Sequence, residues 1–114
     1  MILAVEALER EVNNGGYSQF FVNSSNKYAP IIVDTLQRIG CSEAARLTQR
    51  AIDIVGVDPT APSDSYRNAI AELTSEQDEA LRRCDTEYCR VAGDFAGPLF
   101  EFIKRERDRI MLLN

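Results

Sequence analysis

The chain of 114 residues contains no histidine and no tryptophan, and it has only three cysteines. Without histidine it cannot supply a Ser-His-Asp or Cys-His nucleophilic site, nor a histidine-ligated zinc or haem. Cys41, Cys84 and Cys89 are too few for a four-cysteine metal site, and their odd number argues against a secreted disulfide framework. We therefore expect buried free thiols in a reducing compartment, no metal, no cofactor and no enzymatic activity.

Long apolar runs are also absent. No run approaches the roughly 18 residues that a membrane span requires, and the first eight residues contain Glu6 but no basic region typical of a signal peptide. The composition is 45% hydrophobic and 27% charged, which is too apolar for a disordered chain. These features predict one domain over residues 1–114, located in the cytoplasm and not associated with a membrane.

Negative charge is concentrated in one part of the chain. The net charge is -5, and residues 53–79 alone carry -6, because Arg67 is the only base there among seven acids. A nucleic-acid-binding protein shows the opposite pattern, a basic patch, so we expect no direct contact with nucleic acid. The interpretation we favour is a surface for a basic protein partner. The seven acids are Asp53, Asp58, Asp64, Glu72, Glu76, Asp78 and Glu79.

A metal site and an ordinary solvated helix face are the alternatives for these acids. Asp53 and Asp58 do not have the spacing of an EF-hand loop. The last three acids lie in the first turn of a predicted helix, where the helix dipole favours negative charge. Asp78 and Glu79 also precede Arg82 and Arg83 by four residues, the favourable order for ion pairs. A solvated face explains these residues individually, and only the imbalance of the whole segment favours a partner.

The spacing of apolar residues predicts an all-α fold of about six or seven short helices. We expect the first helix to end at Asn13-Asn14-Gly15-Gly16, and a short helical segment to follow at residues 17–22, with a strand as the alternative. Ser42, Ser63 and Ser75 are the predicted caps of later helices, the last with Asp78 in a capping box. The other predicted helices cover residues 27–39, 43–55, 64–73 and 98–110. The predicted buried stripe of the helix at 27–39 is Tyr28, Ile31, Ile32, Leu36 and Ile39, and that of the helix opened by Ser75 is Gln77, Leu81, Cys84, Tyr88 and Val91.

The two adjacent glycines superficially resemble a phosphate-binding loop. The run lacks the Lys-Ser/Thr of a P-loop and the preceding strand, and because a helix ends here, carbonyl groups rather than N–H groups should face the turn. We therefore predict a structural turn in which Gly15 or Gly16 has a positive φ. The segment that follows is predicted to serve the fold rather than a ligand. The structural residues predicted in this region are Asn13, Asn14, Gly15, Gly16, Phe20, Phe21 and Asn23.

The run from Glu11 to Asn23, EVNNGGYSQFFVN, resembles the hallmark EVNNGG-aromatic-x-QFF-x-N of a bacterial domain family of unknown function that includes DNA-mimic proteins. Residues 36–41, 84–88 and 99–105 are similar to later patterns of that family. The resemblance implies an all-α fold. In the mimic members it also implies that acidic side chains, placed like phosphates, occupy the DNA-binding surface of a helix-turn-helix transcription regulator.

Two features depart from that family. Only ten residues precede Glu11, where family members carry more chain, so an N-terminal family helix would be missing here. One acid per helical turn spaces charges by about 5.4 Å, against about 1.7 Å along duplex DNA. Mimicry would therefore need acids from several helices or two subunits of a homodimer. The alternative function is an immunity-type or other protein-interaction domain without DNA mimicry.

Overall fold

The computed structural model describes residues 2–58, 60–91 and 105. Residues 2–58 and 60–91 form five α-helices and one 3₁₀ helix and contain no strand, which confirms the all-α prediction. The predicted helix at residues 98–110 lies outside the described residues except for Arg105. The elements are α1 (Ile2–Val22), a 3₁₀ helix (Ser24–Tyr28), α2 (Ala29–Arg38), α3 (Ser42–Val55), α4 (Ser63–Ala71) and α5 (residues 75–91).

One apolar core receives side chains from every helix. Phe20 and Phe21 are completely buried, and Phe21 stacks on Tyr66 of α4 with the ring centroids 5.4 Å apart. Residues 17–22 are therefore a helical segment held by burial, and the strand alternative is wrong. The buried side chains of α5 are Leu81, Cys84, Tyr88 and Val91, as its spacing predicted.

The helix caps differ from the prediction by one residue. Ser42 and Ser63 are the first residues of their helices, so neither is the N-cap residue. At α5, the capping box joins Thr74 and Gln77, not Ser75 and Asp78. The Thr74 amide donates to Gln77 Oε1 at 2.9 Å, and the Gln77 amide donates to Thr74 Oγ1 at 3.1 Å. Thr74–Gln77 and Ser75–Asp78 are both separated by three residues, so the sequence pattern alone did not distinguish the two possible capping boxes.

Two side chains predicted to be buried lie on the surface. Ile31 is 45% exposed, because α2 turns Ile32 and Leu36 inward and Ile31 lies about 100° around the helix from its neighbour. Cys89 is exposed, whereas Cys41 and Cys84 are buried as expected. Among the described helices, none is both long and apolar enough to cross a bilayer.

Candidate functional site

Helix α1 is interrupted at Gly16, which has φ 80° and ψ -175°. This positive φ confirms the prediction for the glycine pair. Helical geometry resumes at Tyr17, whose backbone N–H donates a 2.8 Å hydrogen bond to Oδ1 of Asp85 in α5. The expectation that only carbonyls face the turn was wrong, because a second helical segment begins there and presents an N–H group to a carboxylate of the same chain.

Two further carboxylates of α1 bond to distant parts of the chain. Glu11 is buried and accepts hydrogen bonds from Asn23 Nδ2 at 2.6 Å and from Arg10 Nε at 3.3 Å. Glu9 accepts hydrogen bonds from the Tyr88 hydroxyl and, at 2.9 Å, from Asn13 Nδ2. We call Glu9, Glu11 and Asp85 the frame carboxylates, because their bonds join α1 to α5 and to the residue that follows α1.

Two of the frame carboxylates have pKa values shifted in opposite directions. The hydrogen bond from Asn23 is the main cause that lowers the pKa of Glu11. Burial raises the pKa of Asp85 in spite of the hydrogen bond from the Tyr17 amide and the nearby charge of Arg82. Burial disfavours the ionised form of a carboxyl group, whereas donors directed at the carboxylate favour it.

The other predicted structural residues occupy different environments. Gly15 has helical geometry, and a Cβ added there would overlap the side-chain amide of Gln19. Asn13, Asn14 and Asn23 are exposed. The side chain of Asn14 makes no hydrogen bond or ion pair within the described part of the chain. Within the recognisable sequence motif, Gly16 and Tyr17 therefore contact α5, whereas Phe21 packs against α4 and Asn14 faces solvent.

The seven acids of residues 53–79 are distributed over several elements. Asp53 lies in the last turn of α3, Asp58 in the loop that follows, and Asp64 at the start of α4. Glu72 follows the end of α4, and the remaining three lie in the first turns of α5. All are exposed except Asp78, which is partly buried. The structure thus presents acids from three helices and a loop to solvent.

Three of these acids are neutralised locally by arginines. Their pairs are Asp64–Arg67 at 3.0 Å, Asp78–Arg82 at 3.2 Å and Glu79–Arg83 at 3.1 Å. Two of the arginines follow residue 79, so the charge of -6 for residues 53–79 overstates the negative charge that this part of the surface carries. The two i,i+4 pairs predicted at α5 do form.

The other four acids have no ion pair among the described residues, and we call them the open acids: Asp53, Asp58, Glu72 and Glu76. Asp53 accepts a hydrogen bond from Gln49 at 2.9 Å. Asp58 accepts two from Thr60, one from its hydroxyl and one from its amide, which lower the pKa of Asp58. The side chains of Glu72 and Glu76 make no hydrogen bond or ion pair with the rest of the described chain.

Two of the elements that carry open acids meet each other. Gln77 Nε2 donates to the Ile54 carbonyl at 3.4 Å, so the first turn of α5 lies against the last turn of α3. Asp53 and Glu76 are the chain neighbours of these two residues, and Glu72 lies in the connection between α4 and α5. Asp64 begins α4, about 12 Å along the helix axis from Glu72. The seven predicted residues therefore do not form one compact cluster.

The chemically distinctive groups of the described surface are exposed carboxylates. In residues 2–58 and 60–91, no group of three or more His, Cys, Asp or Glu side chains is arranged to hold a metal ion. The fold and this surface define the protein as a small all-α domain with inward, hydrogen-bonded carboxylates and outward, unpaired ones.

Comparison with known families identifies the group to which such a domain belongs. The model of the family described as DMP19-like protein matches residues 1–106. The chain therefore belongs to the DMP19-like family, which is named after DNA mimic protein 19. Neither a curated protein nor a solved structure gives a significant match.

Proposed function

We propose that this protein is an acidic protein-binding module that occupies the DNA-binding surface of a bacterial transcription regulator, and that it acts by binding rather than by catalysis. The observation that supports this proposal best is the set of four exposed open acids, which have no ion-pair partner among the described residues. Membership in a family named after a DNA mimic supports it further.

The open acids have the properties that such a surface needs. A DNA-binding domain places Lys and Arg against phosphates, and carboxylates can satisfy the same cations. The hydrogen bonds from Thr60 lower the pKa of Asp58 and favour its charged form. Asp64, Asp78 and Glu79 contribute less field because each is paired with an arginine. We therefore assign the larger share of the interaction to the open acids.

The spacing of the acids limits what the surface can imitate. Acids on one helix lie at least about 5.4 Å apart when they share a face, against about 1.7 Å per charge along duplex DNA. The open acids come from α3, α5 and two connecting segments, so they represent a few phosphates rather than a long duplex. A homodimer would present two such surfaces to one regulator.

The test is competition between this protein and DNA for one regulator. A helix-turn-helix regulator captured from the native cytoplasm is purified and bound to its fluorescent operator duplex, and the protein is then titrated into the complex. We expect the fluorescence anisotropy to fall to that of free DNA as the protein displaces the duplex. A stable ternary complex of regulator, DNA and this protein contradicts mimicry and supports an interaction domain of another kind.

Charge-reversal variants locate the surface. Glu72→Lys combined with Glu76→Lys should slow association with the regulator by about tenfold, because surface charges act mainly on encounter. The matched control is Asp34→Lys with Glu43→Lys, which makes the same charge change at exposed acids of α2 and α3 outside residues 53–79. The difference should shrink as salt rises, since the Debye length falls from about 10 Å at 0.1 M to about 3 Å at 1 M. Equal effects of the two double variants would contradict the assignment.

A further inference from the structure

We propose that Asp85 is a positioning residue: its carboxylate holds α5 against the break in α1 at Gly16 and thereby sets where the first turn of α5 presents its acids. Oδ1 of Asp85 accepts the Tyr17 N–H at 2.8 Å across a separation of 68 residues. The consequence for partner binding rests on the proposed function, whereas the consequence for the orientation of α5 does not.

Several polar contacts attach α5 to the rest of the described chain at successive positions along the helix. Gln77 bonds to the Ile54 carbonyl, Asp85 to the Tyr17 amide and Tyr88 to Glu9. Glu87 forms an ion pair with Arg46 of α3 at 3.8 Å. Asp85 lies between the exposed acids of the first turn and the Tyr88 contact. Its partner is a backbone amide, so the bond fixes α5 to the main chain of α1 rather than to a side chain that can change rotamer.

The carboxylate of Asp85 packs closely against the Cα of Gly16, where any other residue would place a Cβ. A Cβ added to Gly16 would overlap the carboxylate of Asp85, and the φ of 80° is itself unfavourable for other residues. Gly40 has a similar φ of 87°, but a Cβ there would meet no atom within 4 Å. The break at Gly16 therefore does more than turn the chain: it leaves room for a carboxylate to reach the backbone amide of Tyr17.

The positioning role requires an acceptor oxygen and not a charge. Burial raises the pKa of Asp85, so its ionised form is disfavoured at this site. The groups whose charges act on it are Arg82 and Asp78 of its own helix, and the group that bonds to it from α1 is the Tyr17 amide. Asparagine has nearly the same shape and keeps one acceptor oxygen. Asp85→Asn should therefore preserve the position of α5, and Asp85→Ala should not.

The structural test compares three variants of the full chain by NMR. In Asp85→Ala we expect hydrogen exchange at the Tyr17 amide to rise by roughly tenfold or more as the bond is lost, and the backbone amide resonances of residues 75–79 to shift. In Asp85→Asn both should stay close to the parent protein. Glu87→Ala is the matched control, because it removes another acid of α5, whose 3.8 Å ion pair with Arg46 joins α5 to α3, and it leaves the bond between α5 and α1 in place.

The binding test uses the regulator from the competition experiment. At a temperature where each variant is folded, Asp85→Ala should weaken the affinity for the regulator by up to about tenfold, the net contribution of one intramolecular hydrogen bond that no longer holds the acids of α5 in place. Asp85→Asn should restore the affinity. Unshifted resonances at residues 75–79 in Asp85→Ala overturn the inference whatever the affinity. If they shift but the parent protein binds no regulator, the proposed function fails and the positioning role stands.

The asparagine variant decides the case in which Asp85→Ala does not fold. A folded Asp85→Asn protein with a protected Tyr17 amide and parent-like resonances at residues 75–79 supports the positioning role. Loss of that protection in a folded Asp85→Asn protein overturns it, because an acceptor oxygen alone would then be insufficient.

Discussion

The frame carboxylates and the open acids are the same kinds of side chain in opposite environments. Glu11 and Asp85 receive donors from residues 12 and 68 positions away in sequence. The open acids accept bonds from nearby residues, as Asp53 does from Gln49, or make none within the described chain. The comparison teaches that the environment of an acid in this protein depends on whether the fold brings a donor to it. A carboxylate with a distant donor joins two parts of the chain, and one without such a donor stays exposed to solvent.

Two of the frame carboxylates should depend on pH in opposite ways. Glu11 has a lowered pKa, so its contribution to stability is present above its unfolded value of 4.5 and is lost as the pH falls through its folded pKa. Asp85 has a raised pKa, so its ionised form costs stability, and this cost disappears as the pH falls through its folded pKa. The two carboxylates should therefore make opposite contributions to the acid stability of the protein.

The largest effect should come from removing the aromatic pair beneath the frame. Phe20→Ala and Phe21→Ala should each lower the free energy of unfolding by about 3–5 kcal/mol, because both side chains are completely buried. Thermal or denaturant melts measure this. Ile31→Ala is the control, since a side chain that is 45% exposed should change stability much less. Parent-like melting of both Phe variants, with partner binding lost, would mean that the pair serves a ligand.

The next largest effect separates backbone strain from the contact with Asp85. Gly16→Ala and Gly40→Ala both place alanine at a positive φ, which costs of order 1–3 kcal/mol. Gly16→Ala should cost more, because its ψ of -175° lies in a region that is essentially restricted to glycine and because its Cβ must also displace the Asp85 carboxylate. Denaturant melts of the two variants give the difference directly. Equal losses would show that the carboxylate moves aside without cost and that the frame is weaker at this point than its geometry indicates.

The third prediction uses pH to distinguish the contributions of Glu11 and Asp85 to stability. Glu11→Gln should lose roughly 1–3 kcal/mol at pH 7 through weakened hydrogen bonds, and this loss should shrink as the pH falls through the folded pKa of Glu11. Asp85→Asn should be as stable as the parent or more stable at pH 7, and its advantage should vanish in acid. Melting temperatures of both variants between pH 7 and pH 3 check this. Parallel pH profiles for the two variants would contradict the opposite signs.

The smallest effect on stability should come from the open acids. Glu72→Lys and Glu76→Lys should each change the free energy of unfolding by less than about 0.5 kcal/mol, because neither side chain has a partner in the described structure. Melts at low and high salt measure this. A large loss of stability at either position would show that the residue supports the fold as the frame carboxylates do, and it would contradict the division into two groups.

Local patterns in the sequence determined the all-α fold, the helical segment at residues 17–22, the buried seam of α5 and the positive φ at the glycine pair. Helical spacing and glycine conformation are properties of neighbouring residues, so one sequence carries them. The capping box of α5 was predicted one residue out of register, because Ser75–Asp78 and Thr74–Gln77 both have the three-residue spacing of such a box. The residues of the recognisable motif were also visible, although the partners of Glu11 and Tyr17 were not.

Only the tertiary structure decided which acids are open. Counting charges along residues 53–79 includes three acids that pair with arginines, and two of those arginines lie beyond the end of the segment. The bond between Asp85 and Tyr17 joins residues 68 positions apart, and no periodicity within either helix points to the other. The sequence determined where the acids lie along the chain. Whether each acid is paired or open depended on which donors and cations the packing of α1, α3 and α5 brought within hydrogen-bonding distance.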